Sequence, residues 1–236
     1  MDPVEGGTAA DLGCGPGELT RLALEELHLA TIVGVDNSPA MLASAEQRSG
    51  GGVSFVSGDI ATWQSSAPVD VVIAAASLQW VPHHREVLRH WTAALAPGGQ
   101  LAVQVPANAH AATHVLAAQM CGEEPYASAF EANGPPPDPV HDNVLAPDDY
   151  ARILDDLGFV EQSVTLRVYP HRLANVRAAV EWVKGTTLTR IEKRLPDDTY
   201  ARFLFEYEER LGELLDHAEP LFYPFSRILF WGRVAT

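Results

Sequence analysis

The chain has 236 residues, enough for one large domain or two small ones and for a full hydrophobic core. Apolar residues make up 47% and charged residues 20%, which excludes disorder as the main state. Acids outnumber bases 31 to 16, a formal charge of −15, and that field disfavours a nucleic-acid partner while a local basic pocket still admits a small anion.

Only two cysteines occur, Cys14 and Cys121, which argues against a disulfide scaffold or a zinc knuckle. No apolar run reaches the roughly 18 residues of a membrane span. The start, Met1 to Gly7, has neither the basic nor the apolar region of a signal peptide. A soluble, reduced, cytoplasmic protein with no membrane partner is the expectation.

In chain order, Thr8 to Leu12 reads as a strand, stopped by Gly13-Cys14-Gly15-Pro16-Gly17. Residues 18–28 carry Leu19, Leu22, Ala23, Leu24 and Leu27 as a helical stripe. Thr31 to Asp36 is a second strand, and Ser38-Pro39 then caps and opens a helix through Met41, Leu42 and Ala45. Val53 to Val56 is a third strand ending in Gly58-Asp59. Val69 to Ala75 is a fourth, a run apolar but for Asp70 that suits burial on both faces. Residues 84–96 are helical, Ala96-Pro97-Gly98-Gly99 is a turn, and Leu101 to Val105 is a fifth strand. This alternation predicts an α/β fold with a parallel sheet and a ligand site beyond the carboxyl ends of its strands.

The second half changes character. Residues 107–149 start as an Ala- and His-rich helical stretch and end in the stiff segment Pro135 to Pro139. Tyr150 to Leu157 is a helix capped by Gly158, and Val160 to Tyr169 is a strand. Residues 175–217 hold two or three helices broken at Gly185 and Pro196, and Ser226 to Val234 is a last strand. Two late strands around helices predict an antiparallel sheet edge and a helical cap within a single domain over residues 1–236. The cap insertions fall at about 107–149 and 175–222.

The strongest motif is Asp11-Leu12-Gly13-Cys14-Gly15-Pro16-Gly17, in which glycines at alternate positions let the backbone turn tightly against a ligand. A dinucleotide fingerprint counted from Gly13 would need a third glycine at position 18, where Glu18 stands. An acid at that helix start opposes a pyrophosphate, so a cofactor without phosphates fits better and a nicotinamide-dependent oxidoreductase ranks last. Asp36 ends the second strand, 19 residues after Gly17, where a carboxylate accepts from both ribose hydroxyls. Asp59 ends the third strand and suits the adenine amino group. Each acid alone also fits a solvated strand end.

These elements, with Gly34 to Leu42, Gly58-Asp59-Ile60 and Leu95 to Gly99, resemble a class I S-adenosylmethionine-dependent methyltransferase over the first 105 residues or so. A narrower resemblance, to trans-aconitate 2-methyltransferases, rests on Ala76 to His84, Gln104 to Asn108 and Glu124 to Ala127. It continues through Tyr169-Pro170-His171, Glu181 to Thr186 and Pro224 to Phe230. The resemblance implies a seven-stranded Rossmann-like sheet, five or more strands parallel and the last antiparallel, with a helical cap over the substrate. It implies methyl transfer from S-adenosyl-L-methionine to a carboxylate of a small polycarboxylic acid, leaving a methyl ester and S-adenosyl-L-homocysteine. Its cofactor contacts map to Asp11, Gly13, Cys14, Gly15, Gly17, Asp36, Asn37, Ser38, Met41, Asp59, Ile60, Ala75, Ala76 and Leu78.

Three departures are visible. The family usually carries a segment ahead of the first strand that folds over the cofactor, and ten residues precede Asp11 here. Ala75 stands where the family often has Asn, and Ser226-Arg227 stands where it has paired arginines. A sulfonium is already a strong leaving group and a carboxylate is ionised at neutral pH, so the reaction needs positioning rather than a general base or a metal. No catalytic residue is therefore assigned.

Arg227 is the first substrate-binding candidate, because a guanidinium grips carboxylates bidentately. Gln79, Trp80, Asn108, His114, Tyr169, His171, Trp182 and Lys184 follow, although Trp182 also fits a core position. His83-His84 looks like a metal pair, but adjacent residues do not share a helix face. Two rivals stay open: an O-, N- or C-methyltransferase of a secondary metabolite, and a non-catalytic S-adenosylmethionine-binding protein.

Overall fold

In the computed structural model, which describes residues 1–130 and 134–236, the chain divides into two compact units. The first holds residues 1–106, 143–167 and 227–236, and the second holds residues 107–142 and 168–226. The elements begin β1 (Thr8–Leu12), α1 (Glu18–Glu26), β2 (Thr31–Asp36), α2 (Pro39–Ala45), β3 (Val53–Ser57), β4 (Val69–Ala75), α3 (His84–Ala93) and β5 (Leu95–Pro106). They continue α4 (Ala112–Cys121), α5 (Tyr126–Ala129), α6 (Pro139–Asn143), α7 (Pro147–Asp156), β6 (Phe159–Leu173), α8 (Val176–Val183), α9 (Thr189–Glu192), α10 (Asp197–Leu214) and β7 (Leu221–Val234). Residues 131–133, inside the expected helical stretch 107–149, lie outside the described residues.

The strands form one seven-stranded sheet in the order β3-β2-β1-β4-β5-β7-β6. β1 to β5 pair in parallel and β7 runs antiparallel to β5, the Rossmann-like arrangement that the alternating pattern predicts. The apolar run of β4 is explained by its place beside β1 and β5, where Val71, Val72 and Ala74 are buried. Ser38 Oγ accepts from Met41 N at the start of α2, with Pro39 in the first turn. α3 turns Val87, Leu88 and Trp91 inward, and the Trp91 indole finds its acceptor in the Ile60 carbonyl at 2.9 Å.

Three local expectations need correction. Ala96 to Gly99 lies inside β5 rather than in a turn before it: Leu95 pairs with Val69, the register shifts, and Gln100 pairs with Val71. Gly98, at φ +76°, takes up that irregularity. α3 stops at Ala93 rather than 96, because the Ala94 carbonyl accepts from Val69 N instead. Gly185 does not break the helix; the backbone passes from α8 through a π turn, Lys184–Leu188, into α9. Pro196 does end that run and caps α10.

Residues directly opposite each other in a ladder share a face. Asp11 pairs with Ile73, Ala75 with Gln104, and Pro106 with Arg227. One face therefore carries Asp11, Ala75, Gln104 and Arg227 in a row across β1, β4, β5 and β7, at the carboxyl ends of the parallel strands.

The second unit has its own core. α10 buries Tyr200, Phe203, Tyr207 and Leu211 at three- and four-residue intervals against Met120, Leu188 and Ile191. Tyr126 meets Phe203 edge-on with ring centroids 4.9 Å apart, and Tyr207 donates its hydroxyl to the Thr113 carbonyl at 2.8 Å.

Candidate cofactor and substrate site

A cavity of about 570 Å³ opens beyond the carboxyl ends of β1 to β4. Its wall includes Asp11, Gly13, Cys14, Gly15, Asp36, Asn37, Met41, Asp59, Ile60, Ala75, Ala76 and Trp80. The loop after β1 is tied down before any ligand arrives. Gly13 N and Cys14 N both donate to the Val35 carbonyl, at 2.7 and 3.1 Å. Gly13 sits at φ +78°, and a Cβ there would lie 2.1 Å from Ser77 Cβ, so only glycine lets the loop pass Ser77. Ser77 Oγ donates to the Leu12 carbonyl at 2.5 Å and locks the approach. Gly15 differs, because a Cβ there would meet nothing within 4 Å and would project into open space.

Asp36 is held in place by the same loop. Its Oδ2 accepts from Gly15 N at 2.9 Å and its Oδ1 from Ser38 N at 2.8 Å. Each carboxylate oxygen keeps a further lone pair for hydroxyl donors. Asp59 Oδ1 accepts from Ala61 N at 2.9 Å, which orients the third acid. Asp11 is almost wholly buried and accepts from Thr20 Oγ1 at 2.6 Å. Burial raises its pKa to about 6; the Thr20 hydrogen bond opposes that shift and the Asp36 charge adds to it. Burial, with the charges of Asp11 and Asp36, pushes the Cys14 thiol up to about 12, so it stays protonated and is no nucleophile.

Three of the expected cofactor contacts do not line this cavity. Gly17 is not on the cavity wall; it begins α1 at φ +80°, and a Cβ there would strike Phe55 at 2.5 Å. Ser38 is the cap of α2, and Leu78 is fully buried and outside the cavity lining. Glu18 does line the cavity, but its carboxylate pairs with Arg48 at 2.8 Å, which tempers the repulsion assigned to it. Pro16, Leu19, Ser77 and Val81 also line the wall. Ser77 was legible only through Gly13, whose tight packing needs a small neighbour.

The substrate candidates separate between the units. In the first, Trp80 is 55% exposed at the cavity wall. Gln79 is buried; its Nε2 donates to the Ala76 carbonyl at 2.7 Å and its Oε1 has no partner among the described residues. Arg227 Nη1 donates to Gln104 Oε1 at 2.7 Å. In the second unit, His114 is buried between Thr187 Oγ1 at 2.8 Å and Thr113 Oγ1 at 3.1 Å. Burial lowers its pKa, so it is a neutral, internally satisfied imidazole. Trp182 and His171 lie 4.8 Å apart between ring centroids, with Phe225 beside both and Tyr223 beside Trp182. Lys184 pairs with Glu181 at 2.8 Å, Tyr169 is half-buried, and Asn108 is buried with Oδ1 unpartnered among the described residues.

His84 is also buried, between the Tyr150 hydroxyl and the Leu78 carbonyl, while His83 is exposed at φ +59°. Among the described residues no helix is long and apolar enough to cross a membrane.

The comparisons with known proteins fit this geometry. A family described as a methyltransferase domain matches residues 9–99, the stretch that builds the cavity. The chain is 40% identical over 232 residues to a trans-aconitate 2-methyltransferase of Variovorax paradoxus (strain S110), covering 98% of this chain and 85% of that one. It is 38% identical over 229 residues to a trans-aconitate 2-methyltransferase of Mycobacterium sp. (strain KMS), covering 94% and 86%. Its fold matches Haemonchus contortus phosphoethanolamine N-methyltransferase 2, solved with S-adenosyl-L-methionine, at a TM-score of 0.59 and 16% identity, over all of this chain and 50% of that one. The chain belongs to the trans-aconitate 2-methyltransferase family, within the S-adenosylmethionine-dependent methyltransferases.

Proposed function

We propose that the protein transfers a methyl group from S-adenosyl-L-methionine to one carboxylate of a small polycarboxylic acid, with trans-aconitate the first acceptor to try. One observation carries this reading: a row of side chains on one sheet face runs from the cavity carboxylate Asp11, past the small Ala75, to the guanidinium of Arg227. A cationic methyl donor suits the acidic end of that row, and an anionic acceptor suits the basic end. The identity to family members over nearly the whole chain supports the same substrate class.

The residues present fit the donor. Asp36 has lone pairs left for the ribose hydroxyls after its two backbone contacts, Asp59 can accept from the adenine amino group, and the missing Cβ of Gly15 leaves room for the sugar. When bound, the sulfonium supplies the methyl: the acceptor oxygen forms the new O–C bond as the S–C bond breaks, and its electron pair stays on sulfur. No proton moves, so the chain needs no general base at neutral pH. Its residues have to bind, orient and exclude water. Ala75 and Ala76 keep the wall narrow and uncharged beside the reacting end. Arg227 holds a second carboxylate of the acceptor and thereby aims the first.

A second reading, transfer to a hydroxyl, amine or carbon of a secondary metabolite, draws on Gln79, whose unpartnered Oε1 is an acceptor and suits a donor group. A competition panel separates the two. Purified protein is given labelled methyl donor with tricarboxylic, dicarboxylic and monocarboxylic acids, phenols and amines. The proposed reading expects label in the polycarboxylic acids first. Label confined to phenols or amines overturns it.

A further inference from the structure

We propose that Gln104 is a specificity-determining residue of this site, acting with Arg227 as a single carboxylate clamp on the acceptor. This rests on the carboxyl-methylation reading above and names the residue that makes the acceptor a polyacid. Gln104 lies on β5 directly opposite Ala75, and the Ala76 amide donates to its backbone carbonyl at 2.9 Å. Neighbouring strands are about 4.8 Å apart, so Gln104 stands one strand away from the cavity wall. Arg227 follows on the next strand, opposite Pro106, with its side chain on the same face. Ala75 lines the cofactor cavity and also a second hollow of about 360 Å³ along that face, which Gln104 lines too.

The chemistry of the pair is specific. Gln104 Oε1 accepts from Arg227 Nη1 at 2.7 Å, and Gln104 Nε2 is buried with no partner among the described residues. The amide cannot be turned round, because its NH2 would then face a guanidinium that only donates. The free end is therefore a donor. A buried, unused donor is costly unless a ligand or water meets it. Its neighbour is a second donor group with a positive charge. Two donors of this kind match the two oxygens of a carboxylate, and an arginine has donors enough to hold Gln104 and an anion together. A neutral carboxamide fixes the guanidinium without adding a counter-charge of its own, which a glutamate at the same place would do. The carboxylate held here is the one that is not methylated; the reacting carboxylate points toward Ala75 and Ala76.

The test compares wild type, Gln104→Glu, Gln104→Leu and Arg227→Ala with a tricarboxylic acid and its monocarboxylic analogue as acceptors. Melting temperature and affinity for S-adenosyl-L-homocysteine are read for each. Gln104→Glu creates an ion pair with Arg227 that favours the fold yet repels an incoming anion. It is expected to raise KM for the tricarboxylate at least tenfold, raise that for the monoacid less than threefold, and leave kcat, cofactor affinity and melting temperature near wild type. Gln104→Leu should shift the same ratio by a smaller factor, and Arg227→Ala by a similar or larger one. If wild type esterifies acids and Gln104→Glu keeps the wild-type ratio of the two KM values, the clamp is overturned and the methylation reading stands. If wild type esterifies neither acid but methylates phenols or amines, that reading falls and the clamp with it.

Discussion

The glycine loop of the first unit and the helical core of the second use polar residues in opposite ways. In the loop, Asp36 accepts two backbone amides and still presents spare lone pairs, and Gly15 leaves space that no side chain fills. In the second unit, His114 spends both ring nitrogens on Thr113 and Thr187, and Tyr207 spends its hydroxyl on the Thr113 carbonyl. A site needs polar groups that are held yet incompletely used, whereas a core needs polar groups fully used. The contrast holds between the partly buried Asp36 and the buried His114 and Tyr207; Tyr200, whose hydroxyl in the same helical core finds no partner among the described residues, departs from it.

Glycine substitutions break the comparison most sharply. Gly13→Val should destabilise the fold by about 2–5 kcal/mol, from a positive φ and a clash with Ser77, as read by denaturant unfolding. Gly15→Val shares the strain of a positive φ, +54°, but meets no neighbour within 4 Å, so it should cost less stability than Gly13→Val while also weakening cofactor affinity. Equal losses of stability at both positions would erase the distinction between them. On the second unit, Thr187→Val leaves the buried His114 nitrogen without a partner and should cost about 1–3 kcal/mol of stability. Cofactor affinity should not change, and a parallel loss there would tie His114 to the site.

Asp36→Ala should weaken cofactor binding by about 1–3 kcal/mol in titration calorimetry, the worth of hydrogen bonds to a charged group. Asp11 gives a pH signature. Its pKa is raised in the folded state from 3.8 to about 6, so the native state holds the proton more tightly than the unfolded chain between those values. Its contribution to stability is present at low pH and is lost as pH rises from about 4 to 6. A cationic cofactor favours the ionised form, so its affinity should tighten as pH rises through about 6, and Asp11→Asn should flatten both profiles. The smallest effect is expected at Lys184→Ala. That removes a largely exposed ion pair with Glu181 and should cost below about 0.5 kcal/mol.

Much of the first unit was readable because backbone geometry dictates it. β1 and β2 follow from apolar runs that end at Gly13 and Asp36, β4 from its apolar stretch Val71 to Ala75, and α2 from its Ser-Pro start. The positions marked by that reading from Asp11 to Ala76 mostly converge on one cavity, since strand ends in a parallel sheet meet at one edge. Gly17, Ser38 and Leu78, which the resemblance marks, do not line it; they pack against Phe55, cap α2 and lie fully buried, respectively. The Ala96 to Gly99 bulge was hidden because a Pro-Gly-Gly run looks like a turn until the residues on either side of it, Leu95 and Gln100, pair with the same neighbouring strand. Gln104 was hidden for another reason. The sequence marks it only within the Gln104 to Asn108 resemblance, and its role shows when the register sets it beside Ala75 and an arginine from residue 227.

The central claim is carboxyl methylation, and labelled methyl transfer to trans-aconitate tests it most directly. The reaction is run with a no-acceptor control and the product is exposed to mild base. The account predicts acceptor-dependent label in an organic-acid product that is released by base, as a methyl ester requires. Acceptor-independent label, or a base-stable product, would contradict it.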